Sequence, residues 1–304
     1  MGKYILKRVL QFIPVFLGVT LILFALQNIV PGDPIKLIGG EKALTPEVEL
    51  QLRVKYHLVQ VDDEGNAILD ENGDPVPETL WNRYVFYMGS LLQGDLGSSY
   101  QRKLPVTDIF AAKYPYTAKL ALCAIVLEAI MGIGAGIISA VKRYSFWDIL
   151  VTLVTSVLVA VPAFWLGIML IMLFAVKLGW MPTGGAEDGL RSLILPAFTL
   201  GVFSAATICR LLRSNLIEVL GKEYIDVAKA KGLPKSKIIG KHALKNAMSS
   251  IITILGMQFA SLLGGSVITE QVFAWPGVGR LVIQSITTSD FAVVECVVFL
   301  MAVI

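Results

Sequence analysis

Glu223-Tyr-Ile-Asp-Val-Ala-Lys-Ala-Lys-Gly-Leu-Pro-Lys-Ser-Lys-Ile-Ile-Gly-Lys-His-Ala-Leu-Lys-Asn246 is a basic, polar island between two apolar runs. Its spacing predicts a short amphipathic helix over 223–231, with Tyr224, Ile225, Val227 and Ala228 as the apolar residues. Gly232 offers a left-handed position to end that helix, and Pro234 forbids simple continuation. A second short helix, from about Ser236 to Asn246, runs on toward the next apolar stretch. Two short helices meeting at a glycine make a rigid knob standing off a bilayer, a shape suited to docking more than to chemistry. The other reading is a solvated basic loop that merely obeys the positive-inside rule.

Composition places the knob on a membrane protein. Hydrophobic residues make up 55% of the chain and charged ones 16%, with a mean hydropathy of +0.70. Soluble domains are about half apolar and a quarter charged. A net charge of +3 is too small to imply a nucleic-acid partner. Cys123, Cys209 and Cys296 all lie in apolar runs, so neither a disulfide framework nor a thiolate metal site is suggested.

Lys3, Lys7 and Arg8 precede an apolar run from Val9 to Val30, which places the amino terminus in the cytoplasm and marks the run as a retained anchor. The chain then stays polar from Pro31 to about residue 115, too long for a connector, and reads as a small extracytoplasmic module. Within it Thr45-Pro46 opens a helix over 47–57. The acidic stretch Asp62 to Pro75 is rich in oxygen ligands, but Gly73 has the wrong spacing from Asp70 and no Glu closes a calcium loop. Turns at Glu64-Gly65-Asn66 and Asn72-Gly73 flanking a short Ala67–Leu69 strand are the better reading.

A second span is expected from about Tyr116 to Val141, ending at Lys142-Arg143. Gly132, Gly134 and Gly136 leave a thin face for close helix packing. Glu128 sits mid-span, where an ionised carboxylate is costly; it either lines a route or is held neutral or hydrogen-bonded in the packing. From Phe146 to about Leu178 the run is interrupted at Pro162. Its length cannot supply two spans of about twenty residues plus a turn, so a single span with a proline kink is expected. Pro162, Phe164 and Trp165 are candidates for a translocation pathway, with plain helix packing as the alternative. Further spans are expected over about 193–212 and 247–269. Glu270 to Arg280 then forms an irregular turn, in which Glu270 and Phe273 either touch passing substrate or only build the turn. A last run starts at about Phe291. The domains are thus 1–30, 31–115 and 116–304, the coupling region 221–246 lying in the third.

No Gly-x-x-x-x-Gly-Lys-Ser/Thr occurs, so the chain has no phosphate cradle of its own. His57 and His242 fall on opposite sides of the membrane, which excludes a two-histidine zinc site within the subunit. Catalytic and metal-ligating residues are therefore expected to be none.

Several of these stretches carry a family resemblance. Asp226-Val-Ala228, three residues, Gly232, and then His242-Ala-Leu244-Lys245 at family spacing resemble the coupling motif of ATP-binding-cassette importer permeases. The generic form is Glu-Ala-Ala, three residues, Gly, nine residues, Ile, any residue, Leu-Pro. Asp226, Val227, His242 and Lys245 depart from it in the manner of the peptide and nickel branch. Pro31-Gly-Asp-Pro34, Trp81-Asn-Arg-Tyr84, Gly94-Asp-Leu-Gly-Ser98, Leu104-Pro-Val106 and Pro115-Tyr-Thr117 resemble the outer segment of the first-position permease of di- and oligopeptide importers. Val161 to Gly167 and Glu270 to Arg280 also match the family wording.

The resemblance implies an all-α polytopic membrane protein of the type I importer permease fold, with about six transmembrane helices and an outer module between the first two. It implies a bacterial inner-membrane location, import of di- or oligopeptides, and no cofactor in this subunit, ATP and magnesium being bound by partner ATPases. Nickel-chelate and glutathione importers share the motifs. An ion-coupled secondary transporter is the reading from another class, supported only by Glu128. Implied partners are a second homologous permease, two cytoplasmic ATPases and an extracytoplasmic substrate-binding protein. Glu223, Asp226, Ala228, Ala230 and Gly232 would bear on the ATPase groove. The last run is short for a span, so either the sequence is truncated at Ile304 or the helix ends early, and the family pattern favours truncation.

Overall fold

The computed structural model describes residues 2–29, 35 and 44–304; Pro31-Gly-Asp-Pro34 and the boundary at residue 30 lie outside them. The described residues are helical and contain no β-strand. In chain order the helices are α1 (Gly2–Ile29), α2 (Pro46–Lys55), α3 (Leu80–Leu92), α4 (Val106–Val141), α5 (Phe146–Ala160), α6 (Ala163–Lys177), α7 (Leu190–Leu220), α8 (Glu223–Ala230), α9 (Lys235–Leu263), α10 (Val267–Val272), α11 (Val278–Thr287) and α12 (Phe291–Val303). Three of them, α4, α7 and α9, are long and apolar enough to cross a bilayer, and the bent pair α5–α6 makes a fourth candidate. Leu10–Ala25 within α1 and the whole of α12 are shorter apolar helices. Six apolar segments thus stand where the hydropathy pattern places them.

Four boundaries differ from the sequence expectation, each for a local reason. The 146–178 run is not one kinked helix: α5 and α6 meet at 103°. Val161 and Pro162 are both extended, at φ −85°, ψ 131° and φ −64°, ψ 135°, because the proline ring crowds a helical residue before it and offers no N–H. Helix α4 starts at Val106 and not near Tyr116, its polar first turns carrying Asp108 where a helix amino terminus favours an acid. Helix α9 stops at Leu263, several residues before Thr269, where Gly264-Gly265 breaks it. The second short helix expected over 236–246 is continuous with the span and forms the first turns of α9, including a π-helical stretch at Ile238–Ala243.

The chain divides into two compact units, Met1–Ala112 with Val282–Ile304, and Lys113–Leu281. In the first, Phe16 of α1 meets Phe299 of α12 edge to face, and Thr20 shares a 3.0 Å hydrogen bond with the Tyr84 hydroxyl of α3. Asp290, buried at the start of α12, accepts from the Ser99 hydroxyl and from Tyr100 N at 3.0 Å, pinning the 97–100 loop. Helix α2 is capped by Thr45 with Pro46 following. The acidic stretch forms single antiparallel bridges, Val61 to Ala67 and Leu69 to Pro75, in place of the expected strand. Its two turns are closed by Asp62, which accepts from Glu64 N and Asn66 N, and by Asp70, which accepts from Asn72 N and Asp74 N. The Asn66 N–H leads in holding the Asp62 carboxyl below the usual carboxylate range.

In the second unit α7 is the hub. It carries an unusually long run of buried residues, from Ser192 to Val219, and α5, α6 and α9 pack on it. Helix α4 approaches α7 through glycine: a Cβ at Gly132 would sit 2.8 Å from Ile208 Cβ and 2.9 Å from Ala205 O, and one at Gly136 3.0 Å from Cys209 O. Gly134 faces open space. Two of the three glycines therefore form the thin face. Gly132→Ala is expected to lower the thermal unfolding midpoint of the purified chain, an overpacking cost of about 1–3 kcal/mol. Gly134→Ala, measured in parallel, should leave the midpoint unchanged or raise it slightly.

Between α5 and α7 the buried Asp148 pairs with a part-exposed Arg213, a contact that sequence reading missed. Arg213 donates to Asp148 through Nε at 2.7 Å and Nη2 at 2.8 Å, and Asp148 also accepts from Tyr144 N at 2.9 Å and from the Ser139 hydroxyl.

Candidate functional site

The knob is built from α8 and the first turns of α9. Ile225 and Ala228 point inward, 0% and 6% exposed, into a core with Leu216, Val219, Ile238, Ala243 and Ala247. One step around the same helix, Tyr224 and Val227 are 40% and 54% exposed. The free face therefore carries an aromatic and a β-branched side chain flanked by Glu223, Asp226 and Ala230, all exposed.

The corner beyond α8 has the expected chemistry. Gly232 adopts φ +71°, and nothing lies within 4 Å of where its Cβ would be. Its N–H donates to Lys229 O at 2.9 Å, and Leu233 N donates to Ala228 O at 3.3 Å, so the last carbonyls of the helix are satisfied as the chain turns. Lys229 pairs with Asp226 at 2.8 Å on the surface. Asn246 Nδ2 donates to the Tyr224 hydroxyl at 2.7 Å, tying α9 to α8. The knob is thus fixed in shape on one side and unoccupied on the other.

Of the five residues expected to bear on an ATPase groove, Glu223, Asp226, Ala230 and Gly232 are exposed, whereas Ala228 is buried and holds the knob to its own core. Tyr224 and Val227, read from sequence only as members of an apolar set, are the exposed apolar residues. An eight-residue helix with four apolar positions offers two adjacent faces, and its period alone does not choose between them.

The pathway candidates separate likewise. Glu270 is fully buried, accepting from the Thr117 hydroxyl at 2.9 Å and from Arg280 N at 3.0 Å, while Thr117 Oγ1 accepts from Val278 N at 2.9 Å. Burial pushes the Glu270 carboxyl up, and the N–H and hydroxyl donors oppose that rise. Phe273 is also buried and packs on Gly167, where a Cβ would lie 3.0 Å from its ring. Trp275 Nε1 donates to Tyr116 O at 3.0 Å. Of the two readings of this segment, the structural turn matches the geometry: Glu270 and Phe273 close it and present no side chain to a route.

Glu128 is buried in α4 where α7 crosses at Gly201, and neither carboxylate oxygen has a hydrogen-bond partner among the described residues. Phe164 and Trp165 are each 48% exposed just beyond the α5–α6 break, with Pro162 exposed at the break itself. Those three remain open to whatever lies beside this subunit.

A bundle of apolar, membrane-length helices carrying an exposed two-helix knob defines a polytopic membrane subunit. Residues 132–304 match the family model described as binding-protein-dependent transport system inner membrane component. The chain belongs to that family and is a multi-pass inner membrane component of such a system. It is 36% identical over 314 residues to the oligopeptide transport system permease protein AppB of Bacillus subtilis, covering 100% of this chain and 93% of that protein. Against the dipeptide transport system permease protein DppB of Escherichia coli K12 it is 34% identical over 332 residues, covering 99% and 93%. Against the glutathione transport system permease protein GsiC of Pectobacterium atrosepticum it is 38% identical over 301 residues, covering 99% and 92%. Among solved structures, an inward-facing form of the MetNI methionine ABC transporter aligns with a TM-score of 0.54 at 18% identity, over 64% of this chain and 88% of that one. The fold is that of a type I importer permease.

Proposed function

We propose that the chain is the first-position permease of an ATP-driven importer of di- or oligopeptides. The observation that carries this reading is the knob: a helix rigidly held by Ile225 and Ala228, turned at Gly232, and exposing Tyr224 and Val227 by 40% and 54%. The names of the AppB and DppB relatives support the substrate class. The chain pairs with a second homologous permease, and the two line one pathway, to which Pro162, Phe164 and Trp165 contribute. Two cytoplasmic ATPases, binding ATP and magnesium, receive the knobs, and an extracytoplasmic binding protein delivers the substrate. Lys3, Lys7 and Arg8 put the amino terminus in the cytoplasm, on the same side as the knob.

Closure of the ATPase pair on ATP drives the two knobs together. A rigid knob passes that motion to the spans as a rigid-body switch between inward-open and outward-open states, with differential binding as its source. The GsiC relative supports glutathione as a second substrate reading, and glutathione is itself a small peptide.

Co-purification from gently solubilised native membranes, followed by reconstitution, tests the proposal. A second permease, ATPases and a binding protein should be recovered, and uptake of a labelled dipeptide should require ATP. Competition by glutathione or by longer peptides then ranks the substrates. A chain recovered alone that drives uptake from an ion gradient without ATP would refute the reading.

A further inference from the structure

The first unit contains a cavity of about 250 Å³, small beside ordinary ligand pockets, where α1, α2, α3 and α12 converge. Its wall is charged with both signs. Lys55 of α2 and Arg83 of α3 supply cations; Asp95 and Glu295 of α12 supply carboxylates. No salt bridge between these four is present among the described residues. The Arg83 guanidinium instead lies 6.0 Å from the centre of the Phe24 ring, and Lys55 Nζ 5.8 Å from that of Tyr56. Asp95 is engaged locally, accepting from Gly97 N at 2.9 Å.

Two polar atoms at this wall are buried with no hydrogen-bond partner among the described residues: Glu295 Oε1 and the Tyr87 hydroxyl. Buried groups of this kind are almost always satisfied, and leaving a carboxylate oxygen unpaired is costly. Tyr87 stands one helical turn from Arg83 on α3, so an unmet acceptor and a cation that meets an aromatic ring but, among the described residues, no carboxylate border the same small space.

We propose that this cavity binds a small zwitterion bearing a primary ammonium. The ammonium donates to Glu295 and Tyr87, and a carboxylate or phosphate lies against Arg83 and Lys55. A primary ammonium suits the site because it can donate to Glu295 Oε1 and to the Tyr87 hydroxyl oxygen, which a trimethylammonium cannot. Two sources carry this chemistry: the free end groups of an amino acid or short peptide, and the ethanolamine headgroup of a phospholipid. The site is distinct from the knob and from the α5–α6 break, and it stands whether or not the transported substrate is a peptide.

The test uses the full chain in nanodiscs. In phosphatidylcholine discs, alanyl-alanine binding is followed by calorimetry with N-acetyl-alanyl-alanine as the control. In discs containing both phosphatidylcholine and phosphatidylethanolamine, native mass spectrometry reads which lipid is retained. One arm should show binding, and the arm that does identifies the source. Glu295→Gln and Arg83→Met should each weaken it by about tenfold or more, since hydrogen bonds to charged groups are being removed. Ser90→Phe, which fills the cavity from α3 without altering charge, should abolish it, and guards against a charge variant that fails to fold. The proposal falls if neither arm shows binding, if phosphatidylcholine is retained as well as phosphatidylethanolamine, or if Glu295→Gln binds like the parent. The test reads binding in a cavity of the first unit and not ATP-dependent uptake, so failure here leaves the proposed function to be judged by its own experiment.

Discussion

Arg213→Leu should destabilise the second unit by about 1–3 kcal/mol, because it strips the buried Asp148 carboxylate of two charge-assisted hydrogen bonds. The part-exposed position of Arg213 lets water soften the loss. Asp148 is 4% exposed and takes both guanidinium bonds from Arg213 at 2.7 and 2.8 Å. With that cation gone, only Tyr144 N and the Ser139 hydroxyl remain to the carboxylate. The expected result is a sharp fall in the half-life of monodisperse protein in detergent at a fixed temperature, a suitable measure where unfolding is irreversible. Asp148→Leu should be similarly harmful. The double variant should be less harmful than the two single costs added together, because no stranded charge survives. Additive losses would show that the pair does not act as a unit.

Gly232→Asp has the other large effect, and it falls on coupling more than on folding. At φ +71° a side chain is strained by about 1–2 kcal/mol, but nothing of this chain lies within 4 Å of the new Cβ, so the variant should insert and accumulate. The added carboxylate projects from the corner of the exposed knob. ATP-dependent uptake by the reconstituted transporter should therefore be lost, with the ATPases either detached or hydrolysing ATP without transport. Gly232→Asn separates the causes, since Asn tolerates a left-handed backbone and adds similar bulk without charge. Normal assembly and uptake in Gly232→Asp would remove the docking role.

The sequence made the membrane character and the order of the apolar segments legible, along with the helix–glycine–helix shape of the knob. Each rests on residues close in the chain. Hydropathy averages over one segment, Gly232 is forced left-handed by its own turn, and Pro162 breaks the ladder where it stands. Even the misjudged sharpness of that break, 103° where a kink was expected, was located correctly. Side-chain roles were less legible. Glu270 fitted both a turn and a pathway, and its hydrogen bonds to Thr117 and Arg280 N are those of a turn; Glu128 gave no sign of which way it faced.

What the sequence determined alone is that this is a membrane-spanning, helical subunit with a helix–glycine–helix knob, because backbone chemistry and transfer free energy act locally. The tertiary structure alone decided which apolar face of α8 is buried, and that Asp148 meets Arg213 65 residues away and Glu270 meets Thr117 153 residues away. Those pairings depend on how helices cross. A helix chooses its buried side by the neighbour it finds, and a period of 3.6 residues offers several sides until that neighbour is in place.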